Sequence, residues 1–470
     1  MSENSSGFNS FFGFLMAAIG SAIGFGNIWG FPYKMGTHGG FAFLICYLIL
    51  CVFVGFIVMF GELVLGRRDG CGPVGTYRAI GKRNNKHLGF MGWLALLSAI
   101  LLMGFYCTLG GYTLKYCVAN IGAAFGAGWG YSGDTTEYFM NFVGNGPQAV
   151  VWAAIFLLIT AFICIGGVSG GIEKFCSVGM PLLFVLLIII IIRSATLPGA
   201  GAGFAFIFKP DWSMLAGRQA INTLASAGGQ MFFSLSLGMG AMITYGAYLQ
   251  KDANLQNSSI LIVCFDTLAA VMAACAVFPA VFAFGLEPAG GPGLLFMTME
   301  SVFSDMGTVG FVFGFLFYLL VCIAGISSSI SLLEVATVSF QEMSAKNGKE
   351  PMSRKKAIWI AFAIMAVENI IVSFDGLGST GMVQPLGFCW LDFLDLFAEG
   401  LMMPIGALVM TLIIGYIVGR EGVLAEAELE GNRFPAIGFF MGCSKTIAPL
   451  GMLFILLGQI DTFFGLGWFS

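Results

Sequence analysis

Apolar runs of roughly 18 to 28 residues, each long enough to cross a bilayer as a helix, recur along almost the whole chain. They lie near residues 11–35, 41–66, 88–121, 147–165, 173–196, 217–249, 257–285, 306–343, 355–374, 390–418 and 435–462, about eleven in all. No stretch between them is long enough for a separate soluble domain, so residues 1–470 read as one integral membrane unit of the all-α class. Hydrocarbon offers no water to backbone amides and carbonyls, and runs of this length satisfy them as helices. Composition agrees, with 58% hydrophobic and only 10% charged residues. A net charge of −4 gives no reason to expect nucleic acid as a partner; the partner is the lipid bilayer.

Two of the runs are built to break. Gly20, Gly24 and Gly26 interrupt the first, with Asn27 at mid-depth and Pro32 beyond. Unpaired backbone groups at membrane depth are tolerated where they line a cavity. A second interruption, Gly228-Gly229-Gln230 through Ser234, Ser236, Gly238 and Gly240, falls five runs later. That is where an inverted repeat would place it, with halves near 11–196 and 217–418 and an extra helix near 435–462. Gly-rich helices that merely pack closely are the alternative; packing needs small residues but not Asn27. Loops that alternate to one side carry Arg67, Arg68, Arg78, Lys82, Arg83, Lys251, Arg354, Lys355, Arg420 and Arg433, whereas the opposite loops carry few, such as Arg193 and Lys209. This bias predicts a cytoplasmic N-terminus and, with an odd number of spans, a C-terminus outside.

Several chemistries have no support. The 12 cysteines are scattered through apolar runs without a C-x-x-C pair, as small core hydrophobes are. His38 and His87 stand alone, so no zinc site is expected. There is no phosphate-binding G-x-x-x-x-G-K-[ST] loop and no nucleophile with a base, so the chain reads as neither an ATP-driven pump nor an enzyme.

Gly20 to Asn27 with Ile28-Trp29-Gly30-Phe31-Pro32-Tyr33, then Gly171-Ile172-Glu173, Met180-Pro181, Leu197-Pro198-Gly199-Ala200, Pro210-Asp211-Trp212, Phe233 to Gly240 and Ala324 to Ser329, together resemble the neurotransmitter:sodium symporter family in its shorter, eleven-span bacterial form. The resemblance covers nearly the whole chain and implies a sodium-coupled carrier working by alternating access. It implies two sodium ions. The first would be held by Ala22, Asn27, Ser234, Asp266 and the substrate carboxylate, and the second by Gly20, Ile23, Ala324, Ser327 and Ser328. Hard cations want several oxygens, and a broken helix supplies carbonyls that have lost their donors. Asp266, inside an apolar run, costs at least about 2.5 kcal/mol as a bare carboxylate and should have a cation beside it. In chloride-dependent relatives this position resembles an Asn, with a Ser one turn later where Ala270 stands. Asp266 is therefore expected to replace chloride, beside Tyr47, Gln230 and Ser234.

The same resemblance implies a substrate pocket. Amides near Phe25 and Gly26 and the Tyr106 hydroxyl would take a carboxylate, and carbonyls near Ala22, Phe233, Ser234 and Ser236 an ammonium. Gly24 stands where monoamine carriers bear an Asp. Leu102, Leu109, Met239, Ser328 and Leu332 would form an almost wholly apolar side-chain pocket, so the expected substrate is a neutral hydrophobic or aromatic amino acid. Tyr106 and Phe233 match an outer aromatic lid, Asp395 the acidic half of an outer gate, Gly171 and Pro181 a hinge in the fifth span, and Tyr248 and Glu342 parts of an inner gate.

Two arginines of that pattern are absent. Gly30 and Ser5 occupy their positions, Phe8 replaces a Trp, and Lys34 one turn beyond Gly30 is a candidate substitute. Their absence keeps a second class open, an amino-acid-binding sensor without transport, and a third reading is a carrier of another organic solute. Short tails, and a 122–146 loop without an N-x-[ST] acceptor, favour a prokaryotic plasma membrane. The sequence is compatible with a monomer or a homodimer.

Overall fold

The computed structural model describes residues 7–286, 293–345 and 350–468; Ser5 lies outside them. The described chain is all helix and turn. The first span starts at Phe11–Ala22, capped by the Ser10 hydroxyl accepting from the Gly13 amide at 2.9 Å. It stops where Ile23 turns extended, and resumes as Gly26–Gly30 and Phe31–Thr37. The two halves are bent by 49°. Glycine at 24 and 26 is what allows the stop: a Cβ at either position would run into side chains of other spans.

Phe41–Asp69, Gly89–Ala124, Gly146–Ile165 and Val168–Ala195 are the second to fifth spans. The sixth is again two pieces, Gly217–Ser234 and Ala241–Ala247. Between them Ser236, Gly238 and Gly240 all have positive φ, at 54°, 85° and 78°. Two of these three positions are glycine because side chains are strained there. The Glu62 carboxylate of the second span accepts the freed Gly238 amide at 2.7 Å, so a buried acid satisfies backbone that the break exposes. Leu255–Ala283, Gly307–Ser344, Arg354–Asp375 and Trp390–Ala427 follow, and the last span is Ile437–Lys445 with Ile447–Phe464.

Among the described residues, nine helices are long and apolar enough to cross a membrane, ten if the bent pair of the first span counts as one. The predicted run 217–249 is not among them. Its second piece is short, and Arg218, Gln219, Asn222, Ser226 and Gln230 make the first, of 18 residues, too polar. Spans 3 and 8 pack along one another at the centre. Their apolar windows are 72% and 61% buried, against 39% for spans 4, 5 and 9, which present their remaining faces outward.

Candidate functional site

Both breaks meet at one place. The Ser236 hydroxyl, held in the second break, donates to the Ser21 carbonyl in the first at 2.7 Å. Beside this link lies a small cavity of about 10 Å³ lined by Ala22, Gly24, Gly26, Leu102, Tyr106, Phe233, Ser236, Met239, Ser328, Leu332 and Met403. Apart from the polar tips of Tyr106, Ser236 and Ser328 and the backbone of the breaks, the lining is apolar. Met403, from span 10, carries no signal in its local sequence that would single it out. Of the other residues assigned to the substrate, Phe25 turns its ring away, onto Tyr106 at 4.5 Å and Phe156 at 6.5 Å between centroids. Its amide donates to the Tyr106 hydroxyl at 3.0 Å. Leu109 is buried in span 3 and Ser234 sits deeper; neither lines the cavity.

On one side of the cavity Asp266 is fully buried. One carboxylate oxygen accepts from Asn27 Nδ2 at 2.7 Å, the other from the Tyr47 hydroxyl at 3.2 Å, and Ser234 donates to both at 3.0 and 3.1 Å. Asn27 Nδ2 also meets the Asp266 carbonyl at 3.0 Å, while Asn27 Oδ1 accepts from the Gly24 amide. These atoms can serve a cation if the Asn27 amide turns over and brings Oδ1 to face Asp266, a rotation that gives up the Gly24 bond and both Nδ2 bonds to Asp266, which the ion then replaces. Gln230 stands apart from this group, donating to the Gly26 carbonyl at 2.7 Å.

On the other side the Ser328 hydroxyl sits among the carbonyls of Gly20, Ser21 and Ile23 at 3.3, 3.1 and 3.2 Å. The Ser327 hydroxyl reaches the Ile23 carbonyl at 3.4 Å and that of Ala324 at 2.9 Å. Carbonyls and hydroxyls therefore converge from two spans on one point with no nitrogen between them, the donor set of a hard monovalent cation. Met180 and Cys176 of span 5 close the site from behind, since a Cβ on Gly20 would lie 3.2 Å and 3.4 Å from their sulfurs.

The residues matched to the inner gate have separate partners. Glu342 accepts the amides of Gly72 and Gly75 at 2.5 and 2.7 Å, at the start of the helix Pro73–Arg83. The Tyr248 hydroxyl donates to Glu334 at 2.7 Å. Glu334, fully buried, is gripped by both terminal nitrogens of Arg354 at 2.7 and 2.6 Å. Phe8 packs edge-on against Tyr245 and Tyr248. Glu173 ties the chain ahead of span 1, accepting from the Asn9 amide at 2.8 Å and the Ser10 hydroxyl at 2.9 Å. Gly171 leaves no room for a Cβ against the Ile163 carbonyl, and Pro181 lies within the helix Glu173–Ala195 on its exposed side. On the opposite face Lys34 pairs with Glu399 at 3.0 Å, one turn beyond Asp395, whose Oδ1 is buried without a partner.

The sequence profile of the sodium:neurotransmitter symporter family matches residues 6–136 and 144–468. The chain belongs to that family. It is a multi-pass membrane transporter and not an enzyme. Its curated relatives include the uncharacterized sodium-dependent transporter YhdH of Bacillus subtilis, 32% identical over 455 residues, covering 95% of this chain and 96% of YhdH. An uncharacterized sodium-dependent transporter of Haemophilus influenzae is 31% identical, with the same coverage. Among solved structures, that of MhsT in complex with L-phenylalanine superposes with a TM-score of 0.86 at 34% identity, over 97% of this chain and 99% of MhsT. The fold is therefore the one MhsT has, with its first helix broken.

Proposed function

We propose that this chain is a sodium-coupled symporter that imports a neutral hydrophobic or aromatic amino acid across a bacterial plasma membrane. The observation that carries the reading is the meeting of both helix breaks at one small, mostly apolar cavity, flanked on each side by converging oxygens. Leu102, Met239, Leu332 and Met403 suit an apolar side chain. The freed backbone of the breaks suits the charged ends of an amino acid. The L-phenylalanine bound by the similar MhsT supports the same class of substrate.

Two sodium ions fit the two oxygen clusters. A membrane potential of about 100 mV contributes roughly 2.3 kcal/mol per ion, and a tenfold gradient about 1.4. Two ions therefore supply about 7 kcal/mol, enough to concentrate a neutral substrate some 10⁵-fold. Asp266 brings its own negative charge to the first cluster, which makes an added anion unnecessary, so transport is chloride-independent. The Lys and Arg bias places the N-terminus in the cytoplasm and the C-terminus outside, with repeats near 11–196 and 217–418 related by inversion. Of the gates, Lys34–Glu399 closes the outside, and Arg354–Glu334–Tyr248 the inside.

The test is uptake of radiolabelled neutral amino acids into proteoliposomes under an inward sodium gradient. Potassium replaces sodium in one control and gluconate replaces chloride in another. Concentrative uptake should vanish without sodium and persist without chloride. Saturable binding with no flux would replace the symporter by a sensor, and a chloride requirement would remove the assigned role of Asp266.

A further inference from the structure

Glu368 stands on span 9, behind span 3. Gly104 of span 3 makes room for it: a Cβ there would lie 2.9 Å from the Glu368 Cβ and 3.1 Å from its Oε2, with the Leu394 side chain of span 10 at 3.2 Å. Gly104 falls between Leu102 and Tyr106, which line the cavity from the other side of the same helix. The carboxyl is therefore at the depth of the helix breaks.

Nothing answers this acid, unlike the others in the interior. Glu62 accepts the Gly238 amide, Glu334 is gripped by Arg354, and Glu399 pairs with Lys34. Glu300, in the short helix Met299–Asp305 between spans 7 and 8, accepts from Asn120 Nδ2 at 3.0 and 3.2 Å. Glu368 Oε2 is buried without a partner, and among the described residues no Lys, Arg or His pairs with the carboxyl. Span 3 faces it with the thiol of Cys107. Span 10 faces it with Leu394, while Asp395, the next residue, interacts with Glu399 and Lys34 instead. A bare carboxylate is costly at membrane depth, and with neither a cation nor a hydrogen-bond donor at hand a proton is what removes that cost.

Polar side chains lead away from Glu368 on one side only. Asn369, the next residue, donates to the Gly104 carbonyl and the Thr108 hydroxyl, both at 3.4 Å, and Thr108 meets the Ser373 hydroxyl at 3.2 Å. Ser373 is one turn nearer the end of span 9 that the charge bias assigns to the outside. Toward the inner end the buried positions of the span are Ala357, Ile358, Ala361 and Met365, all apolar. Hydroxyls both donate and accept, so the outer track can pass a proton and the inner turns cannot.

We infer that Glu368 is a proton-binding site at the depth of the helix breaks, reached from the outer medium along Asn369, Thr108 and Ser373 and separate from both oxygen clusters. Because the carboxyl presses on the turn of span 3 that carries Leu102 and Tyr106, gain or loss of its proton acts on the cavity wall from behind.

Infrared spectra of the purified full-length protein in liposomes test this. Subtracting Glu368→Gln from the wild type near neutral pH should leave a protonated-carboxyl band, and subtracting Glu368→Met should leave the same one. In heavy water the band should shift, because a site in exchange with the medium takes up deuterium. Thr108→Val should slow that shift by about tenfold, the effect of losing one hydrogen bond of the track. Carboxylate bands in place of the protonated one would overturn the inference in favour of an ionised, water-solvated Glu368. A shift as fast in Thr108→Val as in the wild type, or no shift at all, would overturn the outer route. None of these results depends on flux, so failure here leaves the symporter reading standing.

Discussion

Gly24→Ala tests whether the cavity at the breaks is the binding site. A Cβ at residue 24 would overlap both the Tyr106 hydroxyl and the Ser328 Oγ. Neither can move freely. The Tyr106 hydroxyl accepts the Phe25 amide at 3.0 Å, and Ser328 is held among three carbonyls. Overpacking of this kind costs about 1–3 kcal/mol, and a buried amide left unpaired adds about 1–3 more. Part of that cost appears in the empty protein and lowers its melting temperature. The rest appears only when the cavity and the Ser328 cluster are filled. A loss of about 2–3 kcal/mol in binding corresponds to a rise in Kd of roughly 30- to 150-fold. Equilibrium binding of radiolabelled substrate in detergent, at saturating sodium, measures it, with thermal unfolding run alongside to separate the two parts. Because Ser328 serves the second cluster, the half-saturating sodium concentration should rise as well. Wild-type affinity for both substrate and sodium in a folded Gly24→Ala protein would mean that neither occupies this place.

Asp266→Asn removes the only charge among Asn27, Tyr47 and Ser234; sodium affinity in proteoliposome uptake should fall at least about tenfold, since hydrogen bonds to charged groups are worth about 1.5–3 kcal/mol. Arg354→Ala leaves the buried Glu334 without its two-pronged partner and frees the Cys164 carbonyl. Breaking such a pair costs up to about 3–5 kcal/mol when fully buried and less here, with Arg354 a quarter exposed; the melting temperature should drop by a few degrees and Cys164 should become reactive to thiol reagents added from the cytoplasmic side. The carboxyl of Glu300, raised by burial, means that the folded state holds a proton that the unfolded state gives up. Its stabilising contribution is then complete below the ordinary carboxylate range, lost as pH rises through about 7, and no larger than about 3 kcal/mol. Unfolding temperatures between acid and mildly alkaline pH should fall more steeply in the wild type than in Glu300→Gln.

What the sequence made legible was everything local. The glycines that stop the first helix are contiguous with Asn27, and a Gly-Ser stretch of the same character marks the second break, so both could be placed from short-range backbone chemistry. The second break lies in a helix polar enough that the structure counts nine or ten membrane-crossing helices among its described residues, whereas the run 217–249 read from the sequence spans both of its pieces. Partnerships across the fold were not legible. An acid in an apolar run announces a cost but not the group that offsets it: Glu334 meets Arg354 from the next span, Glu173 reaches the backbone of Asn9, and Glu342 caps a short helix 267 residues earlier in sequence. Met403 is one methionine among 25, and only the packing of span 10 against the breaks brings it to the cavity.

The outer charge pair shows how such a partnership can be displaced without being lost. A side chain at Gly30 would press on Gln230, whose Oε1 would lie 2.9 Å from the new Cβ, and Gln230 Nε2 holds the Gly26 carbonyl. An arginine there would have to displace the glutamine that braces the first break. The cation sits instead at Lys34, four residues on, and its acid sits at Glu399, four residues beyond Asp395. Each partner has moved by about one helical turn, roughly 6 Å along its helix, but in opposite senses: Lys34 lies farther from the first break, whereas Glu399 lies nearer Met403 of the cavity, and the long lysine side chain spans the difference. If the two shifts are one adaptation, Lys34→Ala and Glu399→Gln must be coupled. A double-mutant cycle on the rate at which the outer face opens, read by fluorescence of a label near residue 34, should give a coupling of at most about 1 kcal/mol, because Lys34 remains partly solvated. Additive effects of the two substitutions would show that the contact closes nothing.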